Sequence, residues 1–336
     1  MLFLPAAAVL LASASIQHAN ALALPAVDTT FGAEPPQLIG DLLTIGPTTP
    51  VGKSIANILM MNETAQSSNI GVPPASEEDC AADKCCIWYK ISGDLTDFFL
   101  DYNGLCNHNA RAAVRLGFHD AGTWSKSLAA QGQDFGGADG SFILFDEQDR
   151  PENNGLQDIA QELKKRIDKY GVSAADMIQF AAIHATVTCP LGPRVRFFAG
   201  RKDATQASPL GLLPSVHSDA NTLFDLFNDK TIDPHQLVAL VGAHSTSKQD
   251  FVDPSRAGAP QDTTPGVWDN RFYNETLQNP GPGEVFKFPS DEVLSQDPRS
   301  SNRWAAFVRS QGRWNAVSVS KLISFFSPDP YSLLPF

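Results

Sequence analysis

"CNHNARAAVRLGFHD", residues 106–120, decides how this chain is read. Its alanines, leucine and arginines recur at helical spacing, so the stretch predicts a helix. Residues four apart share a helix face, which brings Arg115 and His119 into one space with Phe118 as a wall. A guanidinium beside an imidazole suits chemistry in which a small oxygen species gains negative charge. The imidazole moves a proton, and the arginine stabilises the charge without titrating. Taken alone, the pair reads just as well as half-exposed residues on an amphipathic helix. A second segment has to decide.

That segment is "LVALVGAHSTS", residues 237–247. Asp233 predicts an N-cap and Pro234 the first position of an apolar helix that ends at His244. A histidine there calls for a buried partner, and a neutral imidazole is a good ligand for haem iron. A satisfied core histidine is the commoner case for any single example. Here two such histidines, each rooted in a helix, occur in one chain. Each is also followed by hard oxygen donors. After the first, "GGADGS" offers Asp139, Ser141 and the Gly137 carbonyl, with Asp120 able to join them. After the second, residues 245–269 offer Ser245, Asp262, Thr264 and Asp269. Calcium takes six to eight such ligands, although neither cluster follows the EF-hand spacing.

The remaining long segments also predict helices. "GLQDIAQELKKRIDKYG" is amphipathic and stops at Gly171, while "SAADMIQFAAIHATV" is apolar all round, as a buried helix would be. "RWAAFVRSQGRWNAVSVSKLISFF", residues 303–326, predicts one long helix with a glycine inside. Alternating β patterns are scarce, so an all-α fold with long polar loops is expected. With 37 acidic against 25 basic residues the net charge is −12, which excludes nucleic acid and anionic membranes as natural partners.

Residues 1–21 read as a secretory signal peptide, with an apolar core from Leu2 to Ala12 and small residues at Ala19-Asn20-Ala21. Export then favours disulfides among the five cysteines, 80, 85, 86, 106 and 189, with one left over. The sequons at Asn62 and Asn274 fit a secreted glycoprotein. Residues 22–79 read as an extension or propeptide with little core of its own, and residues 80–336 as the main domain. "GPTTPVGKS" resembles a phosphate-binding loop, but its glycine spacing is wrong and two prolines remove N–H donors.

Taken in order, "RLGFHD", "GGADGS", "NNGL", "CPLGPRVRFFAGRKD", "GAHS" and "DTTPGVWD" resemble the haem peroxidases of plants, fungi and bacteria. The likeness is greatest to the secreted fungal group with lignin and manganese peroxidases, and it runs from about Cys80 to the C-terminus. It implies two helical lobes, distal and proximal, with haem b between them and two calcium ions. By the same resemblance His119 is the distal acid–base histidine, Arg115 the distal arginine and Phe118 the distal aromatic. Asn153 and Glu147 are the pair that hydrogen-bonds the distal histidine, with Asp149 a rival for the acidic position. His244 is the proximal iron ligand and Asp291 the acceptor of its Nδ1 proton. The first calcium takes Asp120, Gly137, Asp139 and Ser141. The second takes Ser245, Asp262, Thr264, Asp269 and the Val267 carbonyl. Hydrogen peroxide and small aromatic reductants are the implied partners, and a monomer is expected. Cys106–Cys189 is the implied disulfide, and Cys80 pairs with Cys86 or Cys85.

The chain also departs from that pattern. His108 and Ala112 stand where manganese-binding glutamates would be, leaving only Asp250 of the three carboxylates. Ala239 stands where lignin peroxidases carry an exposed tryptophan, and Gln261 where a proximal phenylalanine is expected. Phenols and similar small donors at the haem edge are therefore the expected substrates. A surface tryptophan or tyrosine radical is the alternative, and a haem or calcium binder without activity is the remaining reading.

Overall fold

The computed structural model describes residues 42, 46–67, 78, 80, 83, 85–133, 135–326 and 334–335. The expected leader at residues 1–21 lies outside them. In chain order the longer helices are α1 (Pro50–Leu59), α2 (Ile87–Phe99), α3 (His108–Ala121), α4 (Gln157–Tyr170), α5 (Ala174–Thr188), α6 (Ala220–Asn228), α7 (Pro234–Val241), α8 (Arg271–Leu277), α9 (Pro289–Gln296), α10 (Ser301–Val308) and α11 (Gln311–Phe326). Strand structure among the described residues is confined to two-residue antiparallel ladders and isolated bridges. The expectation of an all-α peroxidase-type fold is borne out.

Two groups of helices form because two helices are apolar enough to be surrounded. Helix α5 is started by Ser173, whose hydroxyl accepts the Asp176 N–H, and buries Met177, Ile178, Phe180 and Ala181. Helices α2, α3 and α4 pack on it. Its one charged side chain in the first turn, Asp176, is buried and satisfied by the Gly200 N–H (2.6 Å) and the Arg201 guanidinium (2.9 Å). Helix α7 is the centre of the second group, against α6, α10 and α11, with α8, α9 and α10 packed on one another. Asp233 and Gln236 close a capping box around Pro234, as the sequence predicts. Contacts between α3 and α11 join the groups.

Three findings differ from or sharpen the sequence reading. First, the long helix expected over 303–326 is two, α10 and α11. Asn270 Nδ2 donates to the carbonyls of Phe307 (2.7 Å) and Val308 (3.1 Å), taking the acceptors that a continuing helix needs. Gly312 therefore sits in the first turn of α11, where it weakens little. Second, His244 follows α7 in a 3₁₀ turn, Gly242–Thr246. Third, packing does not mark a boundary at residue 80. Helix α1 puts Ile55, Ile58 and Leu59 into the common core against α11, and Glu63 pairs with Arg196. The Gly52 and Lys53 N–H groups of the phosphate-loop resemblance are already bonded to Thr49, which caps this helix. The disulfides are Cys106–Cys189, across 83 residues, and Cys80–Cys86; Cys85 belongs to neither and is buried. No helix among the described residues is long and apolar enough to cross a membrane.

Candidate active site

One short loop arranges the first histidine segment. Asn107 caps α3 by accepting the N–H groups of Asn109 and Ala110, and the helix delivers Arg115 and His119 at its far end. Residues 152–154 then meet both side chains. His119 Nδ1 lies 2.7 Å from Asn153 Oδ1, and Arg115 donates to the carbonyls of Asn154 (2.7 Å) and Glu152 (3.2 Å). Gly155, at φ +85°, completes the turn. A Cβ there would come within 2.6 Å of the Phe251 ring, and Arg115 Nη1 is 3.6 Å away. This is the physical content of "NNGL": two acceptors and one position where only glycine fits.

The hydrogen bonds fix the tautomer of His119. Asn153 Nδ2 donates to the Glu147 carbonyl at 2.7 Å, so Oδ1 must face the histidine and Nδ1 must carry the proton. Nε2 keeps its lone pair. Burial and the neighbouring Arg115 charge lower the His119 pKa to about 3, against the opposing Asn153 bond. Arg115 retains solvent-exposed surface. Desolvation lowers its pKa to about 10, opposed by Asp250. Phe118 stacks on Phe227 at 6.2 Å and meets the His119 ring at 5.7 Å.

Glu147 is placed differently from its expected role. Its carboxylate accepts the Ser208 N–H (2.6 Å) and hydroxyl (2.7 Å) and pairs with Arg150 at 3.2 Å. Only its backbone carbonyl reaches Asn153, and the bond to His119 is made by Asn153 alone. No bond joins the rival Asp149 side chain to either residue. The spacing between Glu147 and Asn153 carried the pairing but not which oxygen makes it.

His244 Nδ1 lies 3.0 Å from Asp291 Oδ2, with Asp291 buried at the first turn of α9. Nδ1 is therefore the donor, and Nε2 is the nitrogen left available to a metal. The rings of Phe272 and Phe288 stand edge-on to the imidazole at 5.6 and 5.5 Å, which fixes its plane. Sequence reasoning missed both phenylalanines, because neither lies at a recognisable offset from His244. The set fits a haem: an imidazole with one ring nitrogen bonded to a buried carboxylate and the other available, oriented by hydrophobic edges. Gln261 is buried, accepts a hydrogen bond from the Ser247 hydroxyl, and leaves Nε2 without a partner.

The two oxygen clusters set buried carboxylates beside one another rather than beside cationic side chains. In the first, Asp120 and Asp139 are both pushed up by burial, and Asp139 raises Asp120 further. Asp120 accepts from Gln179 Nε2 (3.0 Å) and the Gly140 N–H (3.3 Å), and the buried Ser141 hydroxyl acts on Asp139. Gln179 was not foreseen; a glutamine inside an apolar helix was the available signal. The Gly137 carbonyl accepts the Asp139 N–H at 2.8 Å. In the second cluster Asp262 Oδ2 and Ser245 Oγ are buried without partners. Thr264 Oγ1 donates to Asp269 at 2.8 Å, and the Val267 N–H to the Thr264 carbonyl at 2.9 Å. Burial raises Asp262 to about 8, with Asp269 and Glu275 adding repulsion. Orphaned oxygens crowded with like charge fit hard cations. Among the described residues no group of three or more His, Cys, Asp and Glu side chains converges. Sites with two carboxylates each, completed by hydroxyls and carbonyls, have no such group.

The comparisons with known proteins agree with this geometry. The family model described as peroxidase matches residues 102–310. The chain is 33% identical over 285 residues to ligninase LG5 of Phanerodontia chrysosporium, spanning 79% of this chain and 72% of that one. It is 32% identical over 286 residues to versatile peroxidase VPS1 of Pleurotus eryngii, spanning 80% and 75%. It is 36% identical over 246 residues to a peroxidase of Arthromyces ramosus, spanning 68% and 67%. The chain belongs to the class II fungal haem peroxidase family. It is a peroxidase acting on hydrogen peroxide, in a family that typically uses haem and calcium.

Proposed function

We propose that this chain is an extracellular, monomeric haem b peroxidase that oxidises phenolic or other small aromatic donors in one-electron steps. Two calcium ions would hold the distal and proximal loops, through Asp120, Gly137, Asp139 and Ser141 and through Ser245, Asp262, Thr264, Val267 and Asp269. The carrying observation is the chain Glu147 carbonyl–Asn153–His119, which leaves Nε2 as a neutral base beside Arg115.

A haem held by His244 would supply the iron at which peroxide is split and the site from which donors are oxidised. The chain's own groups do the rest. His119 Nε2 takes the proton from the inner oxygen of peroxide and returns it to the outer one. Arg115, anchored by two carbonyls, stabilises the charge on the departing oxygen. Asp291 holds the Nδ1 proton of His244 and so increases the basicity of the ligand nitrogen.

The donor class rests on what surrounds the site. Asp250 lies within electrostatic reach of the Arg111 and Arg115 charges, a poor environment for manganese(II). Trp88, Trp268, Trp304 and Trp314 are buried and Trp124 is half-buried, which disfavours an exposed tryptophan radical. Among the described residues Tyr102 is fully exposed, and a surface-radical reading would draw on it. A secreted chain, with no nucleic-acid or membrane partner, fits the two disulfides and the acidic charge.

The test is a stopped-flow visible spectrum of haem-loaded protein mixed with one equivalent of peroxide. A rapid loss of Soret intensity, absent in His119→Leu, is expected. A Soret band indifferent to peroxide would leave a haem binder, and no Soret band would refute the reading of His244.

A further inference from the structure

A continuous series of rings leads away from His244. Its imidazole meets Phe272 at 5.6 Å, and Phe272 lies 5.3 Å from Tyr273 and 5.4 Å from Trp304. Tyr273 lies 5.7 Å from Trp314, and Trp314 stacks on Trp268 at 5.2 Å with the planes 7° apart. Trp314 also backs onto the histidine's own turn. A Cβ built on Gly242 would sit 2.5 Å from its Nε1, and its N–H donates to the Ala239 carbonyl at 2.9 Å. Every ring from Phe272 onward is buried.

The geometry points to the stacked Trp268–Trp314 pair as an internal one-electron donor, which takes up an oxidising equivalent from the haem site when no external donor is present. This rests on His244 as the haem ligand and extends that reading to the interior of the proximal helices.

The polar contacts decide which ring holds the charge. A phenol is readily oxidised only if its proton can leave. Tyr273 O–H donates to the Val238 carbonyl at 2.7 Å, which is no base, and burial with the Asp291 charge pushes its pKa well up. Indoles can be oxidised with the N–H retained. Trp268 Nε1 is buried with no hydrogen-bond partner, unusual for tryptophan, and Trp314 Nε1 donates to a carbonyl, so neither proton has a base to take it. The product is therefore a radical cation. Parallel stacking spreads that charge over two rings, whereas Trp304 has only tilted or edge-on neighbours. The negative charge of Asp291, which acts on Tyr273, favours a nearby cation. The balance closes with the known oxidant: peroxide takes two electrons and two protons to give two waters. One electron comes from the pair and the other would come from the haem, and two phenols later restore both by each losing an electron and a proton.

The experiment is freeze-quench electron paramagnetic resonance of the full-length holoenzyme, mixed with one equivalent of peroxide and no donor. Wild-type protein carrying ring-deuterated tryptophan should give a radical signal narrowed relative to unlabelled protein. The signal should be lost in Trp314→Phe and weakened in Trp268→Phe, with phenol oxidation persisting in Trp268→Phe. Should either variant fail to fold, the labelled wild-type protein decides alone. A signal narrowed only by deuterated tyrosine, or confined to the cofactor, overturns the proposal while leaving the peroxidase reading intact. A holoenzyme whose visible spectrum ignores peroxide overturns both.

Discussion

Without a bound cation, the second oxygen cluster should make the stability of the protein depend on pH in an unusual direction. Asp262 is buried with one oxygen unpartnered, and without a cation its pKa rises from 3.8 to about 8. A carboxyl raised in the folded state stabilises the fold fully below its unfolded value and loses that contribution as pH climbs through the folded value. Each pH unit across that window removes about 1.4 kcal/mol. At pH 7 the loss from Asp262 is about 4 kcal/mol, a large share of the roughly 5–15 kcal/mol that holds a typical domain folded. For a domain of this size that corresponds to a melting point lower by roughly 5–10 °C. The assay is thermal unfolding of chelated protein from pH 4 to 8, repeated with saturating calcium and with Asp262→Asn. Chelated protein should lose stability as pH rises, calcium should restore it, and the variant should flatten the slope. Chelated protein whose melting point is unchanged across the range, or that calcium does not stabilise at pH 7, would refute the reasoning.

Four further outcomes follow from the structure. In Asn153→Ala the His119 tautomer is no longer fixed, so the rate of reaction with peroxide should fall by roughly 10-fold or more, within the 10²–10⁴ that a positioned acid–base group contributes; an unchanged rate would mean Asn153 is only structural. Because His119 is depressed from 6.5 to about 3, activity should hold until pH falls towards 3, and its neutral form's support for the fold should fade between 6.5 and 3. A bell limb near 6.5 in the peroxide rate would contradict this. Gly155→Ala must displace the Phe251 ring and strain a left-handed backbone, costing about 1–3 kcal/mol and slowing peroxide cleavage through Arg115; denaturant unfolding and the peroxide rate together read it. Paired Cys106→Ala and Cys189→Ala substitutions open an 83-residue loop and should cost about 2–5 kcal/mol in denaturant unfolding.

Much of this architecture was legible in the residues, where local signals acted locally. The Asp233–Pro234 start of α7 and the glycine stop at Gly171 follow from capping, which a chain settles within one turn. The Arg115–His119 face follows from helical period alone. What stayed hidden depends on partners distant in sequence. Asn270 divides the C-terminal helix by reaching across 37 residues to its carbonyls. Glu147 lends a carbonyl rather than a carboxylate because Ser208, 61 residues on, claims the side chain. Tyr273 and Trp314 found their place against Gly242 through tertiary packing that no spacing announces.

The loop at 152–155 has a consequence for how the protein can vary. Consecutive backbone and side-chain acceptors hold Arg115 and His119, so the loop acts as a ruler with one allowed length. An inserted or deleted residue between Glu152 and Gly155 would offset both side chains together, in opposite senses relative to α3. Sequence drift can reach the wall of the site, at Asp250 or Gln261, one residue at a time. The two residues at its centre can change only in concert with the segment that measures them.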